Sequence, residues 1–214
     1  MRHIKEIMIV AVCLMVLSFC VCTGLGIYFM YREGVQEYED LRTYVKETDE
    51  DDHTEGTDGS DGKQTVVDFK ALKKINPDVV SWITIPGTNI DYPLLQGKDN
   101  NQYLHKDMEG RDSAAGAIFL DYGDKADLSS RHNIIYGHHM KNGTMFKDIV
   151  KYKDQQYFDE HQDIILYTPD REIHLKALAA VVANPDAIRR KIDFQSWEEF
   201  TSYIEEMTLS LIHI

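Results

Sequence analysis

Asn133-Ile-Ile-Tyr-Gly-His-His-Met140 is the stretch on which the fold turns. Ile134, Ile135 and Tyr136 run into Gly137, and the glycine delivers two histidines, His138 and His139. A β-rich run that stops at a glycine leaves the next side chain at a strand end, where catalytic groups sit on a rigid scaffold. Spacing alone leaves two readings open, a strand end with two solvated histidines or a functional site. A single short motif does not decide between them, so its surroundings must.

Outward from it, the pattern is one of short strands separated by turn residues. Ile83 and Ile85 alternate before Pro86-Gly87, and residues 92–95 give a second strand. Residues 117–120, 134–136 and 164–167 read as buried strands. Thr168-Pro-Asp-Arg171 is a turn in which proline pre-sets the backbone, and it leads into an alternating strand over 172–182. Strands at this spacing predict a closed or sandwiched β architecture. Helices interrupt it. Phe69, Leu72, Ile75 and Val79 share one helical face, with Pro77 breaking or restarting the helix. Helices are also expected over 145–151 and 197–207. In the second, Trp197, Phe200, Tyr203 and Ile204 make one apolar stripe for core packing, and Ser196 with Glu199 spells a capping box. The fold class is therefore mainly β with added helices.

The N-terminus is of another kind. No charge interrupts residues 7–30, and at about 1.5 Å per helical residue that run reaches roughly 36 Å, enough for a hydrocarbon core of about 30 Å. Arg2 and Lys5 precede it, while Glu33, Glu37, Glu39 and Asp40 follow. That asymmetry predicts a single-pass anchor with its N-terminus in the cytoplasm and the rest outside. A cleaved signal peptide wants a shorter apolar run and a small-x-small site. Leu17-Ser-Phe-Cys20 approaches a lipoprotein site, but Phe19 is bulky where a small residue is wanted. The expected organisation is a cytoplasmic tip (1–6), a transmembrane anchor (7–31), a juxtamembrane helix with an acidic disordered stalk (32–63), and a folded domain (64–214). The stalk, from Glu47, lacks large apolar residues and repels itself. It also lacks the ligand spacing of a calcium loop.

Formal charge is −13; residues 1–63 hold 13 acids against 6 bases and the remainder 23 against 17. So acidic a chain is a poor partner for phosphate backbones, which argues against nucleic-acid binding. The three cysteines, Cys13, Cys20 and Cys22, all lie in the apolar run. Neither a disulfide framework nor a cysteine zinc site is available to the folded domain.

Three further stretches settle the reading of the first. Trp82-Ile-Thr-Ile-Pro-Gly-Thr-Asn-Ile-Asp-Tyr-Pro93, Gly97-Lys-Asp-Asn-Asn-Gln-Tyr-Leu104 and Gly116-Ala-Ile-Phe-Leu-Asp-Tyr122, taken with the Tyr-Gly-His stretch, resemble a class B sortase over roughly residues 66 to 210. The resemblance implies a membrane-anchored cysteine transpeptidase, thiol-protease-like in its first step, built on a small β-barrel with extra helices. It implies a sorting-signal peptide of the Asn-Pro-x-Thr-Asn type as substrate and a cell-wall precursor amine as acceptor, on a Gram-positive-type envelope, with no cofactor. It assigns His138, the histidine directly after Tyr-Gly, to catalysis as proton donor. It aligns Asn100, Leu104, Tyr136 and Ser210 with positions lining the family's substrate groove.

One departure stands out. The family's nucleophile follows a Thr-Leu-Ser-Thr-Cys motif, which Thr208-Leu-Ser210 begins before the sequence continues Leu211-Ile-His-Ile214. The catalytic cysteine and arginine are both missing, so the chain is expected to be a truncated, inactive sortase whose barrel lacks its last strands. The ending is expected to reflect gene assembly. The alternative is a pseudo-sortase that binds sorting signals without cutting them. A metal site from His132, His138 and His139 is disfavoured, because adjacent strand residues point to opposite faces and no His-Glu-x-x-His pair is present; no metal is expected.

Overall fold

A computed structural model describes residues 2–49, 63–182 and 190–209. The chain divides into two compact units, Met1–Asp40 and Leu41–Ile214.

The first unit is nearly all helix α1, Arg2–Leu41. Its segment Ile7–Gly26 has a mean hydropathy of 2.6 and is long and apolar enough to cross a membrane. The apolar residues go all the way round this helix rather than forming a stripe. Thr23 returns its hydroxyl to the carbonyls of Phe19 (2.9 Å) and Cys20 (3.0 Å), so this polar group is satisfied within the helix.

The second unit is organised on a six-stranded sheet. A short 3-10 turn, Arg42–Tyr44, leads into β1, Val45–Asp49, which pairs antiparallel with β2, Lys63–Val67. This corrects the expectation of a helix to residue 46 followed at once by a stalk. The charged residues Lys46, Glu47 and Asp49 interrupt any apolar alternation in the sequence, yet Val45 lies opposite Val67 and a full ladder forms between the two strands. Pairing to a distant partner overrides local propensity here. The remainder of the expected stalk, residues 50–62, lies outside the described residues.

Helix α2, Phe69–Ile75, is capped by Asp68, whose carboxylate accepts the Ala71 N–H at 2.8 Å. It ends before Pro77, but Val79, expected on its apolar face, instead opens the next strand, because the helix does not restart after the proline. Strand β3, Val79–Thr84, is the central strand, flanked by β4, Asp91–Gln96, and β7, Asp163–Tyr167. Trp82 is fully buried in it, opposite Pro93 on one side and Tyr167 on the other. Its indole N–H donates to Asp91 at 2.7 Å, which removes the cost of burying that donor. Fully buried Ser81 likewise donates to the Tyr167 carbonyl at 2.6 Å. Pro93 is tolerated because β5, Ile118–Leu120, begins to pair with β4 only at Leu94.

Strands β4 and β5 run parallel, joined by residues 97–117; the other pairs in this sheet are antiparallel. Strand β6, Ile135–Tyr136, lies beside β5, with the Tyr136 ring stacked on Phe119 at 5.1 Å. Strand β8, Glu172–Lys176, stops six residues before the expected end at 182, because its partner β7 begins at Asp163, opposite Lys176. Among the described residues the sheet curls without closing, with β6 and β8 at its edges.

Between β6 and β7 lie a 3-10 helix, Phe146–Lys153, and α3, Gln155–Glu160, which begins at the Asp154 cap and was not expected. Helix α4, Trp197–Leu209, starts with Ser196 accepting the Glu199 N–H at 3.1 Å, one half of the expected capping box; Glu199 in turn accepts the Gln195 N–H rather than that of Ser196. Phe200 and Tyr203 pack on Phe194, but Trp197 is 64% exposed under the Arg131 guanidinium, so the stripe is only partly core.

Candidate active site

β6 ends at Tyr136, and Gly137 carries the chain past Ile118 and Phe146. A Cβ at Gly137 would fall against Ile118 Cδ1 and lie 2.7 Å from Phe146 Cδ2. A side chain at 137 would therefore have to displace both neighbours. The glycine lets the next residue, His138, turn onto the 97–117 connection. His138 Nε2 lies 2.8 Å from the Leu104 carbonyl, and its ring stacks at 6.0 Å on His105. A carbonyl can only accept, so Nε2 carries the proton there and Nδ1 is the nitrogen left for other chemistry. The Leu104 carbonyl is itself fixed, because Gly116 at φ +58 passes so close that a Cβ would sit 2.6 Å from it. Upstream, the Asp99 carboxylate accepts the N–H groups of Asn101 and Gln102 at 2.9 Å each, forming the turn that presents Asn100.

His139 goes the other way. It faces Lys147, with Nε2 3.1 Å from Nζ, while His132 Nδ1 lies 2.7 Å from the Lys191 carbonyl beside Tyr203. The three histidines weighed as a metal site thus have three separate sets of neighbours. Among the described residues no group of three or more His, Cys, Asp or Glu side chains converges as metal ligands.

Asn100 and Tyr136 meet on a residue that sequence reasoning missed. Asp121, fully buried at the end of β5, accepts from Asn100 Nδ2 at 2.8 Å and from the Tyr136 hydroxyl at 2.9 Å. Arg190 completes the cluster with a bidentate pair, Nε to Oδ2 at 2.6 Å and Nη2 to Oδ1 at 2.7 Å. Burial alone would raise the Asp121 pKa. The Arg190 guanidinium, the Gly123 N–H, Asn100 and Tyr136 outweigh it and hold the carboxyl well below the usual range. Burial and the adjoining Asp121 carboxylate push the Tyr136 phenol up to about 12, so it stays a protonated donor. Asp124, at the end of the same turn, moves upward: burial raises it, and the Asp121 charge adds to that against the Ile134 N–H. The visible sign of the cluster was an acid directly after the buried run Ile118–Leu120. Ser210 lies outside the described residues.

No family model matches the chain. The crystal structure of sortase B from Bacillus anthracis in complex with AAEK1 superposes with a TM-score of 0.69 at 31% identity, covering 84% of this chain and 80% of that one. The chain belongs to the class B sortases. Sortase B of Listeria monocytogenes is 34% identical over 140 residues, 65% of this chain and 57% of that protein. A Staphylococcus aureus sortase B–substrate complex superposes with a TM-score of 0.62 at 31% identity over 64% of each chain. The chain thus spans a little over half the length of the Listeria sortase B. Its curled sheet with added helices is the sortase B architecture, and the family is one of cysteine transpeptidases.

Proposed function

We propose that residues 41–214 form the peptide-handling part of a sortase-type transpeptidase, with His138 as proton donor and Asn100, Leu104 and Tyr136 along a groove for an Asn-Pro-x-Thr-Asn-like sorting signal. The observation that carries this reading is the convergence of one connection and one strand end. Residues 97–104 and 136–138 meet twice, at the His138–Leu104 hydrogen bond and on Asp121.

In the reaction, a thiolate attacks the signal's threonine carbonyl, the C–N bond breaks, and the imidazolium gives its proton to the departing amine. A cell-wall precursor amine then attacks the thioester, releasing the thiolate and returning a proton to the imidazole. The 214 residues supply cysteine only at 13, 20 and 22, all within α1. The folded unit therefore holds the acid and the groove but no sulfur nucleophile. On its own the chain binds a sorting signal without cutting it, and Thr208-Leu209-Ser210 is the segment aligned with the start of the nucleophile motif. Ile7–Gly26 anchors the protein in the cell membrane, with the N-terminus cytoplasmic and the folded unit outside.

The test is fluorescence anisotropy of a labelled Asn-Pro-Ala-Thr-Asn peptide with the full chain in detergent micelles. The expected result is saturable binding, lost with a scrambled peptide, and no cleavage by mass spectrometry. Absence of binding at peptide concentrations up to about 1 mM, some −4 kcal/mol of affinity, would defeat the groove assignment. Cleavage would defeat the statement that this chain lacks a nucleophile.

A further inference from the structure

Asp121 is charged, fully buried, and surrounded by donors from four places in the chain. Oδ1 accepts from the Gly123 N–H (2.8 Å) and Arg190 Nη2 (2.7 Å). Oδ2 accepts from Asn100 Nδ2 (2.8 Å), the Tyr136 hydroxyl (2.9 Å) and Arg190 Nε (2.6 Å). A carboxylate offers about four lone-pair positions, so these donors leave no capacity for a substrate proton. Asp121 is saturated and cannot act as a base. It can hold its neighbours in place.

What it holds determines what they offer. Asn100 is tied at both ends of its amide, since Oδ1 also accepts the Tyr122 N–H at 3.0 Å. A flipped amide would set its oxygen against the carboxylate, so one orientation is enforced. One amide hydrogen of Asn100 remains for a ligand. Tyr136 has committed its only proton to Oδ2, so its phenolic oxygen can offer a ligand only lone pairs. Arg190 neutralises the carboxylate and lies over the Tyr122 ring at 5.1 Å. The segment it carries is secured again where Lys191 pairs with Glu199 at 2.7 Å.

We propose that Asp121 is a positioning residue for peptide recognition: one buried carboxylate locks Asn100 and Tyr136 into a single donor–acceptor pattern and seats Arg190 beside them. The pattern left over, one N–H and one phenolic oxygen on a cluster with no net charge, complements a neutral peptide amide rather than a carboxylate. This rests on the groove assignment of Asn100 and Tyr136 above.

The test uses the full chain in detergent micelles and two independent readouts, hydrogen exchange of the Asn100 side-chain amide by NMR and peptide affinity by anisotropy. In the unaltered protein the Asn100 amide is protected. Asp121→Asn, which keeps the shape but turns an acceptor into a donor, speeds that exchange at least about tenfold and raises the peptide Kd about tenfold. Tyr136→Phe removes the phenolic oxygen as well as the link and weakens binding by itself; the double variant loses less than the product of the two single losses, because they share that link. A merely structural role would lower the melting temperature while leaving exchange and affinity unchanged well below it, and that result overturns the proposal. If Asp121→Asn does not fold, Arg190→Gln at the exposed rim decides instead. Loss of its two bonds loosens the carboxylate, speeding Asn100 exchange and weakening binding several-fold; no change in either overturns the proposal. A chain that binds no sorting peptide, yet shows Asn100 exchange governed by Asp121, refutes the groove and hence the recognition role while upholding the side-chain locking.

Discussion

Replacing Gly137 with alanine adds one methyl group at the tightest point behind the candidate site. That methyl would overlap Ile118 Cδ1 and lie 2.7 and 2.9 Å from two Phe146 ring carbons, against an ordinary carbon–carbon separation of about 3.5–4.0 Å. Ile118 is fully buried between β4 and β6 and has little room to step aside, so the half-buried Phe146 ring is the neighbour that must give. Gly137 is not among the positive-φ glycines of the described residues, which are 87, 110, 116 and 143, so backbone strain adds nothing and the effect is overpacking alone. Overpacking costs about 1–3 kcal/mol. At about 2–4 °C per kcal/mol for a folded unit of this size, the melting temperature falls by about 2–12 °C. Thermal melts of the full chain in micelles, followed by near-ultraviolet circular dichroism, measure it. A melting temperature within about 1 °C of the unaltered protein would mean that Ile118 and Phe146 yield freely, and that space is not the reason for a glycine before His138.

Four further outcomes are expected. Asp121 is held ionised in the folded state, so the stability it contributes is fully present above the unfolded-chain value of about 3.9 and is lost as pH falls through its lower folded value. Asp124 has the opposite sign. Its raised carboxyl favours folding at low pH and opposes it at neutrality, so Asp124→Asn should raise the urea midpoint near pH 7, with a gain that shrinks below about pH 4; a lowered midpoint at neutral pH would contradict the environment assigned to Asp124. In a chimera that continues Thr208-Leu209-Ser210 into the C-terminal segment of Listeria monocytogenes sortase B, His138→Ala should cut peptide cleavage by about 10²–10⁴-fold. His139→Ala should leave cleavage nearly unchanged, because that ring faces Lys147; equal losses would remove the distinction between the two histidines.

Much of this was legible in the sequence because it was local. The Tyr136-Gly137-His138 run reads as a strand end, and it is one. The alternation around Ile83, the block 92–95 and the Ser196 cap also carry their causes within a few residues. What stayed hidden was set at a distance. The strand Val45–Asp49 looks like solvated stalk until its partner, eighteen residues on at Lys63–Val67, is known. The end of β8 at Lys176 is dictated by where β7 begins. Asp121 draws donors from 21 residues before it and 69 after it, and no window along the chain brings Asn100 and Arg190 into view together.

The parallel pairing of β4 with β5 has a lasting consequence. Two strands that point the same way cannot be linked by a tight hairpin; the chain must travel back along the whole strand before starting again, which takes a dozen residues or more. Residues 97–117 are that return journey, so a long excursion here is a geometric necessity of the sheet rather than a decoration. It is also the excursion that carries Asn100 and Leu104. Variation within it can reshape the groove proposed for the peptide while every rung of the ladder beneath stays put.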